Sequence, residues 1–223
     1  MEPVTSVTVR EIYPADHATV AELTARVYIG DGLSSPDYEP QLRDVAGRVR
    51  QAKVLVAALG EQVVGSLTVA TRGGPMAELA VPGEAVIRML AVAPEARGAG
   101  VGTLLTRAAL ELAGRDGCAM VRLSSQPNMT AAHRLYARLG FSRTPSLDWS
   151  PLPGLLLWAF ALPLAPWCGY CSEELTPHGH EHCRRSSVVD PPRFCLHCRR
   201  RMAVTTTPAG AVAECPEHGR RTA

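Results

Sequence analysis

Six cysteines, Cys168, Cys171, Cys183, Cys195, Cys198 and Cys215, crowd the C-terminal quarter of this 223-residue chain, and only Cys118 lies outside it. They fall into two sets. Cys168-x-x-Cys171 is followed by His180-x-x-Cys183, and Cys195-x-x-Cys198 is followed, after 16 residues, by Cys215-x-x-His218. Each set offers three thiolates and one imidazole, the donors that close a tetrahedron around a single ion. The second spacing is that of a zinc ribbon. In the first set His178 and His182 compete with His180 for the fourth position. Thiolates serve zinc and iron–sulfur clusters alike, so spacing leaves that choice open. Aliphatic residues are few here, so metal has to supply much of the local order.

A second chemical signal lies mid-chain. The apolar run Ala85–Val92 leads through Ala93-Pro94-Glu95-Ala96 into Arg97-Gly98-Ala99-Gly100-Val101-Gly102-Thr103, where a helical pattern begins. A glycine-rich turn at a helix start presents free backbone N–H groups and partial positive charge, which suits a phosphate or pyrophosphate. Arg97 adds a charged donor. No Gly-Lys-Ser/Thr follows, which excludes a Walker loop. No acidic residue closes the next strand, Ala119–Ser124, which speaks against a Rossmann loop. A glycine-rich turn with a purely structural role is the alternative reading of the loop taken alone.

The elements that must position these groups follow from hydrophobic period and turn residues. Strands are expected at Val7–Ile12, Val54–Leu59, Val63–Thr71, Ala85–Val92, Ala119–Ser124, Phe141–Trp149 and Leu155–Leu162. Helices are expected at Ala15–Ile29, Tyr38–Gln51, Gly100–Arg115 and Thr130–Leu139, with Arg72–Gly83 a loop or hairpin extension. That order indicates an α/β or α+β domain with a mixed sheet. A boundary falls where periodic apolar segments give way to Cys, His, Pro and Arg. It divides the chain into residues 1–163 and a metal-binding module, 164–223.

Within that order, the glycine turn and its strand resemble the GNAT acetyltransferase superfamily. Arg97, Gly100 and Gly102 fill that family's Arg/Gln-x-x-Gly-x-Gly/Ala loop, and Arg88–Glu95 resembles its fourth strand and exit. Ala131–Phe141, with Leu135-Tyr136 ending in Gly140-Phe141, resembles its second hallmark helix. The resemblance covers about residues 4–163. It implies a mixed central sheet flanked by helices, acetyl-CoA as donor and a primary amine, on a small molecule or a protein, as acceptor. By the same resemblance, Leu90, Ala91 and Val92 pair with the pantetheine arm. Arg97, Gly98, Ala99, Gly100, Val101, Gly102 and Thr103 hold the pyrophosphate, and Tyr136 protonates the departing thiolate. The family often has Asn seven residues before this tyrosine. Here Met129 fills that slot and Asn128 precedes it, either as a cofactor contact or as a helix cap.

Attack needs a neutral amine, hence a proton acceptor. Glu84, at the entrance of the central strand, is the first candidate and Glu78 a weaker one. His133 reads as a surface residue. Asp31, Asp37, Tyr38 and Glu39 lie in the expected acceptor-facing loop. Residues 166–220 resemble a second family, the actinobacterial biotin synthase auxiliary proteins. The match rests on Cys168-Gly-Tyr-Cys171, His180-x-x-Cys183, Pro191–Met202 and Cys215-Pro-Glu-His218-Gly219. It implies biotin synthase as partner and iron–sulfur chemistry. The alternative to a live transferase is then an accessory protein whose transferase fold is a binding platform.

With 23 basic and 21 acidic residues the net charge is only +2, and aromatics are 5%, so nucleic acid is the weakest partner class. The longest apolar run, Leu155–Leu162, is about half of what a membrane-spanning helix needs. Met1–Thr5 shows no basic stretch leading into an apolar one, and a cytoplasmic location is expected.

Overall fold

The computed structural model describes residues 6–207 and 210–222. The reading of Met1–Thr5 and the outermost residues of both expected units lie outside them. In chain order the elements are β1 (Val7–Glu11), α1 (His17–Gly30), α2 (Glu39–Arg43), α3 (Val45–Gln51), β2 (Lys53–Leu59), β3 (Gln62–Ala70), β4 (Glu84–Val92), α4 (Val101–Arg115), β5 (Met120–Ser125), α5 (Thr130–Arg138), β6 (Ser142–Arg143), β7 (Trp149–Leu152), β8 (Leu155–Pro163), α6 (Glu181–Ser186), β9 (Ala203–Thr207), β10 (Gly210–Cys215) and β11 (Gly219–Thr222).

The first eight strands form one mixed sheet in the order β1-β2-β3-β4-β5-β8-β6, with β7 on β8. Strands β2 to β5 are apolar nearly throughout because helices flank the sheet and leave little strand surface in water. Val20, Leu23 and Val27 of α1, and Val101, Leu105, Ala109 and Leu112 of α4, recur at helical spacing and pack into this core.

The feature that positions the site is a parting of strands. β4 and β5 run parallel and pair only from Glu84↔Met120 to Ile87↔Leu123. Beyond that they separate. On the other side of β4 the ladder steps from Thr68↔Arg88 to Ser66↔Ala91, leaving a bulge at Met89 and Leu90. Met89 there adopts a positive φ of 50°, rare outside glycine. Bulges of this kind re-aim the backbone beside functional sites.

Two expected elements are divided. The helix expected over Tyr38–Gln51 is α2 and α3, because Asp44 leaves helical geometry and caps α3 by accepting from Gly47 N–H at 2.7 Å. A Cβ at residue 47 would overlap the Asp44 carboxylate in this position, so a larger residue there would have to displace the capping side chain. The strand expected over Phe141–Trp149 is β6 and β7, parted by a 3-10 turn at Pro145–Leu147. Proline cannot donate to the ladder. Arg72–Gly83 forms a loop of tight turns whose Ala77 packs with Ala70 and Val86.

In the C-terminal segment, residues 164–222, the two Cys-x-x-Cys turns are copies of one design. Ser172 N–H bonds Cys168 C=O and Arg199 N–H bonds Cys195 C=O, both at 3.0 Å. Ser172 and Arg199 both have positive φ, 60° and 62°. Cys168 N–H bonds Glu173 C=O and Cys195 N–H bonds Arg200 C=O, both at 2.8 Å. The copies pack together: a Cβ at Gly169 would stand 3.2 Å from Leu196, and the Arg199 guanidinium lies 4.3 Å above the Trp167 ring. Strands β9, β10 and β11 complete the segment as an antiparallel sheet.

Candidate active site and metal centres

Gly98 and Gly100 both adopt φ of +80°, and an added Cβ at either would meet nothing within 4 Å. The turn is therefore open on the outside, and its backbone conformation is one that glycine adopts without strain. No side chain caps α4, whose N-cap is Gly100. Its first N–H groups, at Val101, Gly102 and Thr103, have no intrahelical acceptors. Gly102 packs toward α5: a Cβ there would make ordinary van der Waals contact with Leu135 at 3.4 Å. Arg97 lies along the turn. Its Nε donates to Val92 C=O at 3.3 Å and its Nη2 to Asp31 at 2.6 Å. Asp31 was expected to face an acceptor; it is the counter-ion of Arg97.

At the bulge, Leu90 C=O accepts from the Tyr28 hydroxyl at 3.5 Å. Burial pushes the Tyr28 phenol up to about 12. Tyr136 is buried against Phe141 and Phe160, with ring centroids 5.8 and 5.9 Å away. Burial, and then the neighbouring Tyr28, raise its phenol too. The loop after α1 is tied to the end of β5, because Gln126 Nε2 donates to Leu33 C=O. Trp149 Nε1 donates to Ser124 Oγ at 3.0 Å.

His133 departs from the surface reading. It is half-buried, stacked on Trp158 at 5.5 Å and 21°, with Nε2 3.1 Å from Ser125 Oγ at the end of β5. Burial lowers its pKa below the ordinary 6.5. Its spacing of three residues from Tyr136 puts both on one face of α5, a signal available in the sequence. Asn128 caps nothing with its side chain: the N-cap of α5 is Met129, and Asn128 supplies its carbonyl to Thr130 N–H at 2.8 Å.

Glu84 is not placed for proton abstraction. Its two oxygens accept from Arg122 Nε and Nη2, both at 2.6 Å, and from Arg184 at 3.3 and 3.4 Å. It also stands at the wrong end of β4, about 20 Å along the strand from Leu90 at roughly 3.3 Å per residue. Side-chain alternation along a strand tells which residues share a face and nothing about which end of the strand opens. Glu78 is engaged by Arg88.

The structure gathers both Cys/His sets. The donor atoms of Cys168, Cys171, His180 and Cys183 lie within 4.8 Å of one another, and so do those of Cys195, Cys198, Cys215 and His218. Sulfur–nitrogen separations are 3.7 Å for Cys171–His180 and 3.6 Å for Cys195–His218, and the Cys198–Cys215 sulfurs are 3.7 Å apart. A tetrahedral zinc with ordinary bond lengths has edges of about 3.5 Å for S–N and about 3.8 Å for S–S. The eight residues therefore fit two ions. His180, rather than His178 or His182, joins the first set: Nδ1 faces Cys171 while Nε2 donates to Glu174 C=O at 2.9 Å. Such a bond fixes the tautomer of a ligand histidine.

The sequence profile of the acetyltransferase (GNAT) family matches residues 18–141, more than half of the chain, and the chain belongs to that family. Solved structures share the fold. A GCN5-related N-acetyltransferase from Kribbella flavida is 26% identical over 71% of this chain and 98% of its own, with a TM-score of 0.54. The yncA protein of Salmonella typhimurium, solved with its cofactor acetyl-CoA, is 21% identical over 78% of this chain and 98% of its own, also at 0.54. A GNAT-family acetyltransferase from Staphylococcus aureus reaches a TM-score of 0.58 at 13% identity, over 71% and 99%. No curated protein sequence is significantly similar to this one. Among the described residues no helix is long and apolar enough to cross a membrane.

Proposed function

We propose that this protein transfers the acetyl group of acetyl-CoA to a primary amine. The observation that carries the reading is the opening between β4 and β5, with the bulged Leu90 backbone beside an uncapped, glycine-lined helix start. A pyrophosphate fits that helix start, and an extended acyl-pantetheine arm fits the unpaired edge of Leu90, Ala91 and Val92. Bound there, acetyl-CoA supplies the activated acyl group. Asn128 lies in the turn that follows β5 and leads into α5.

Tyr136 is the residue we place beside the departing thiolate. With its phenol raised by burial, it acts as a hydrogen-bond donor to the developing charge. His133, neutral and bonded to Ser125, takes the role first given to Glu84 and relays the amine proton. Calorimetry should show one acetyl-CoA per chain, and free CoA should appear when primary amines are added. Absence of both, across a panel of small amines and amine-ended peptides, rejects the transferase.

We further propose that residues 1–163 form the transferase unit and 164–223 a metal-binding module holding two zinc ions. Support for single ions comes from donor atoms within 4.8 Å in each set. The ligand sulfurs of a multi-iron cluster sit on different irons and stand further apart. Thiolate ligands suit the reducing cytoplasm. A second reading, in which the module serves biotin synthase and the transferase fold is a platform, draws on the residue resemblance over 166–220. Met202, a non-ligand residue of that resemblance, is buried beside Cys195 and Cys215. Co-purification of biotin synthase with the intact protein, lost on deleting residues 164–223, tests it.

A further inference from the structure

Four polar residues are fully buried in a core built mainly of aliphatic side chains: Thr24 of α1, Arg48 of α3, and Ser66 and Thr68 of β3. The Arg48 guanidinium donates to Leu42 C=O at 3.0 Å, to Thr68 Oγ1 at 3.4 Å and to Thr24 Oγ1 at 3.5 Å. Arg48 Nε and Ser66 Oγ have no hydrogen-bond partner among the described residues. A buried cation held by neutral groups alone costs stability, and costs of this kind persist where function uses them.

This polar group lies beside the β4 bulge. Ser66 pairs with Ala91 and Thr68 with Arg88, on either side of Met89 and Leu90. Thr24 and Tyr28, four residues apart, share a face of α1, and the Tyr28 hydroxyl donates to Leu90 C=O at 3.5 Å. Counting one strand spacing, two residues of β4 and the depth of a side chain, the guanidinium stands roughly 10 Å from that carbonyl. Burial dominates the Tyr28 phenol, and the Arg48 charge pulls against it. A cation on this side draws the phenol oxygen toward itself and leaves the hydrogen for Leu90 C=O.

The charged groups nearby do not cancel Arg48. Asp44, at the N-cap of α3, is exposed to screening water and accepts from Gly47 N–H. On β4, Arg88 is engaged by Glu78, a pair of no net charge. Glu22 of α1 is exposed and paired with Arg43. Tyr28 and Tyr38 face the guanidinium as phenols.

We propose that Arg48 is a positioning residue of the transfer: its uncompensated buried charge sets the Tyr28 hydroxyl on the bulge and favours the negative charge that develops on the acyl oxygen and the departing sulfur. The inference rests on the transferase reading and adds to it a residue outside the opening. A unit charge about 10 Å away in a protein interior shifts such an equilibrium about tenfold.

The test uses the full-length protein with CoA and acetyl-CoA. NMR of CoA labelled at the carbon beside sulfur reads the pKa of the bound thiol. Arg48→Met removes the charge, and Thr68→Asp neutralises it in place by setting a carboxylate beside Nη1. Both should raise the bound thiol by about one pH unit and lower kcat about tenfold, with acetyl-CoA affinity near that of the wild type. Arg48→Lys keeps the charge and should stay within about threefold of wild-type kcat, well inside the tenfold loss. Thr68→Asp retains Arg48, so the test stays decisive if Arg48→Met fails to fold. An Arg48 that merely ties α2 to α3 would tolerate Thr68→Asp. A bound thiol and kcat unchanged by Thr68→Asp, or Arg48→Lys as impaired as Arg48→Met, overturns the proposal. Wild-type protein that binds no CoA rejects the transferase reading itself, and this inference with it.

Discussion

Arg97 has two anionic suitors at the residue scale. Its guanidinium is held by Asp31 at 2.6 Å beside the turn where a pyrophosphate would sit. Both partners are partly exposed, so the pair itself contributes little to stability. Its consequence is competition. Arg97→Ala should weaken acetyl-CoA at least tenfold, about 1.4 kcal/mol, whereas Asp31→Asn should tighten it, most visibly at low salt. Equal effects of the two substitutions would show that Arg97 does not reach the cofactor. His133 makes a separate prediction through its lowered pKa. Burial favours the neutral ring, so a relay through His133 stays competent into mildly acid solution. The acid limb of kcat should fall below the ordinary histidine value of 6.5, and His133→Gln should abolish that limb. A limb at or above 6.5 would assign the proton to another group. Tyr136→Phe keeps the ring in its aromatic cluster and removes only the donor, so kcat should drop roughly 10²-fold or more with acetyl-CoA affinity retained.

The long runs with a clear period were legible at the scale of elements. Val101, Leu105, Ala109 and Leu112 announce α4 because each faces the core once per turn. The break between α2 and α3 was not, because it depends on a side chain turning back on the backbone. Asp44 reads as an ordinary helical surface residue until its oxygen meets Gly47 N–H. Asp44→Ala should cost about 1 kcal/mol, as caps generally do, read as a lowered midpoint in denaturant titration. Arg48 was equally silent. It is 1% exposed, beneath α1 and β3, bonded to Leu42 C=O at 3.0 Å and weakly to Thr24 and Thr68, and among the described residues no carboxylate forms an ion pair with it. Burial lowers its pKa. Replacing a buried charge with an apolar side chain of similar length is often neutral or stabilising, so Arg48→Met should leave the melting temperature unchanged or raise it.

Taken as a whole molecule, the sheet and the C-terminal segment meet at a charged joint. Arg184 follows Cys183, a member of the first Cys/His set, and donates to Glu84 and to Leu79 C=O. Metal bound by that set would therefore also hold Arg184 on the start of β4. Stripping metal with a strong chelator should make residues 164–222 protease-sensitive while the large sheet survives, as its core is built from residues before 165. Amide exchange should nonetheless accelerate at Glu84–Val86 and Met120–Arg122, where the joint sits. No change there would show that the joint is not coupled to the metal. Loss of the whole sheet would show that the two parts fold as one.

What the sequence determined by itself is whatever depends on local order along the chain. The glycine turn at a helix start, the run of core strands and the two ligand sets are all of this kind. Their chemistry follows from spacing, because a helix start exposes amides and a Cys-x-x-Cys turn presents two sulfurs wherever it occurs. The tertiary structure decided everything that depends on distant residues meeting. It took Glu84 from the role of base and made it the shared counter-ion of Arg122 and Arg184, which lie 38 and 100 residues further along. It chose His180 over its neighbours and moved His133 from the surface to the edge of the opening. Charge pairing and burial act through space, and no period in the sequence encodes which residues will share it.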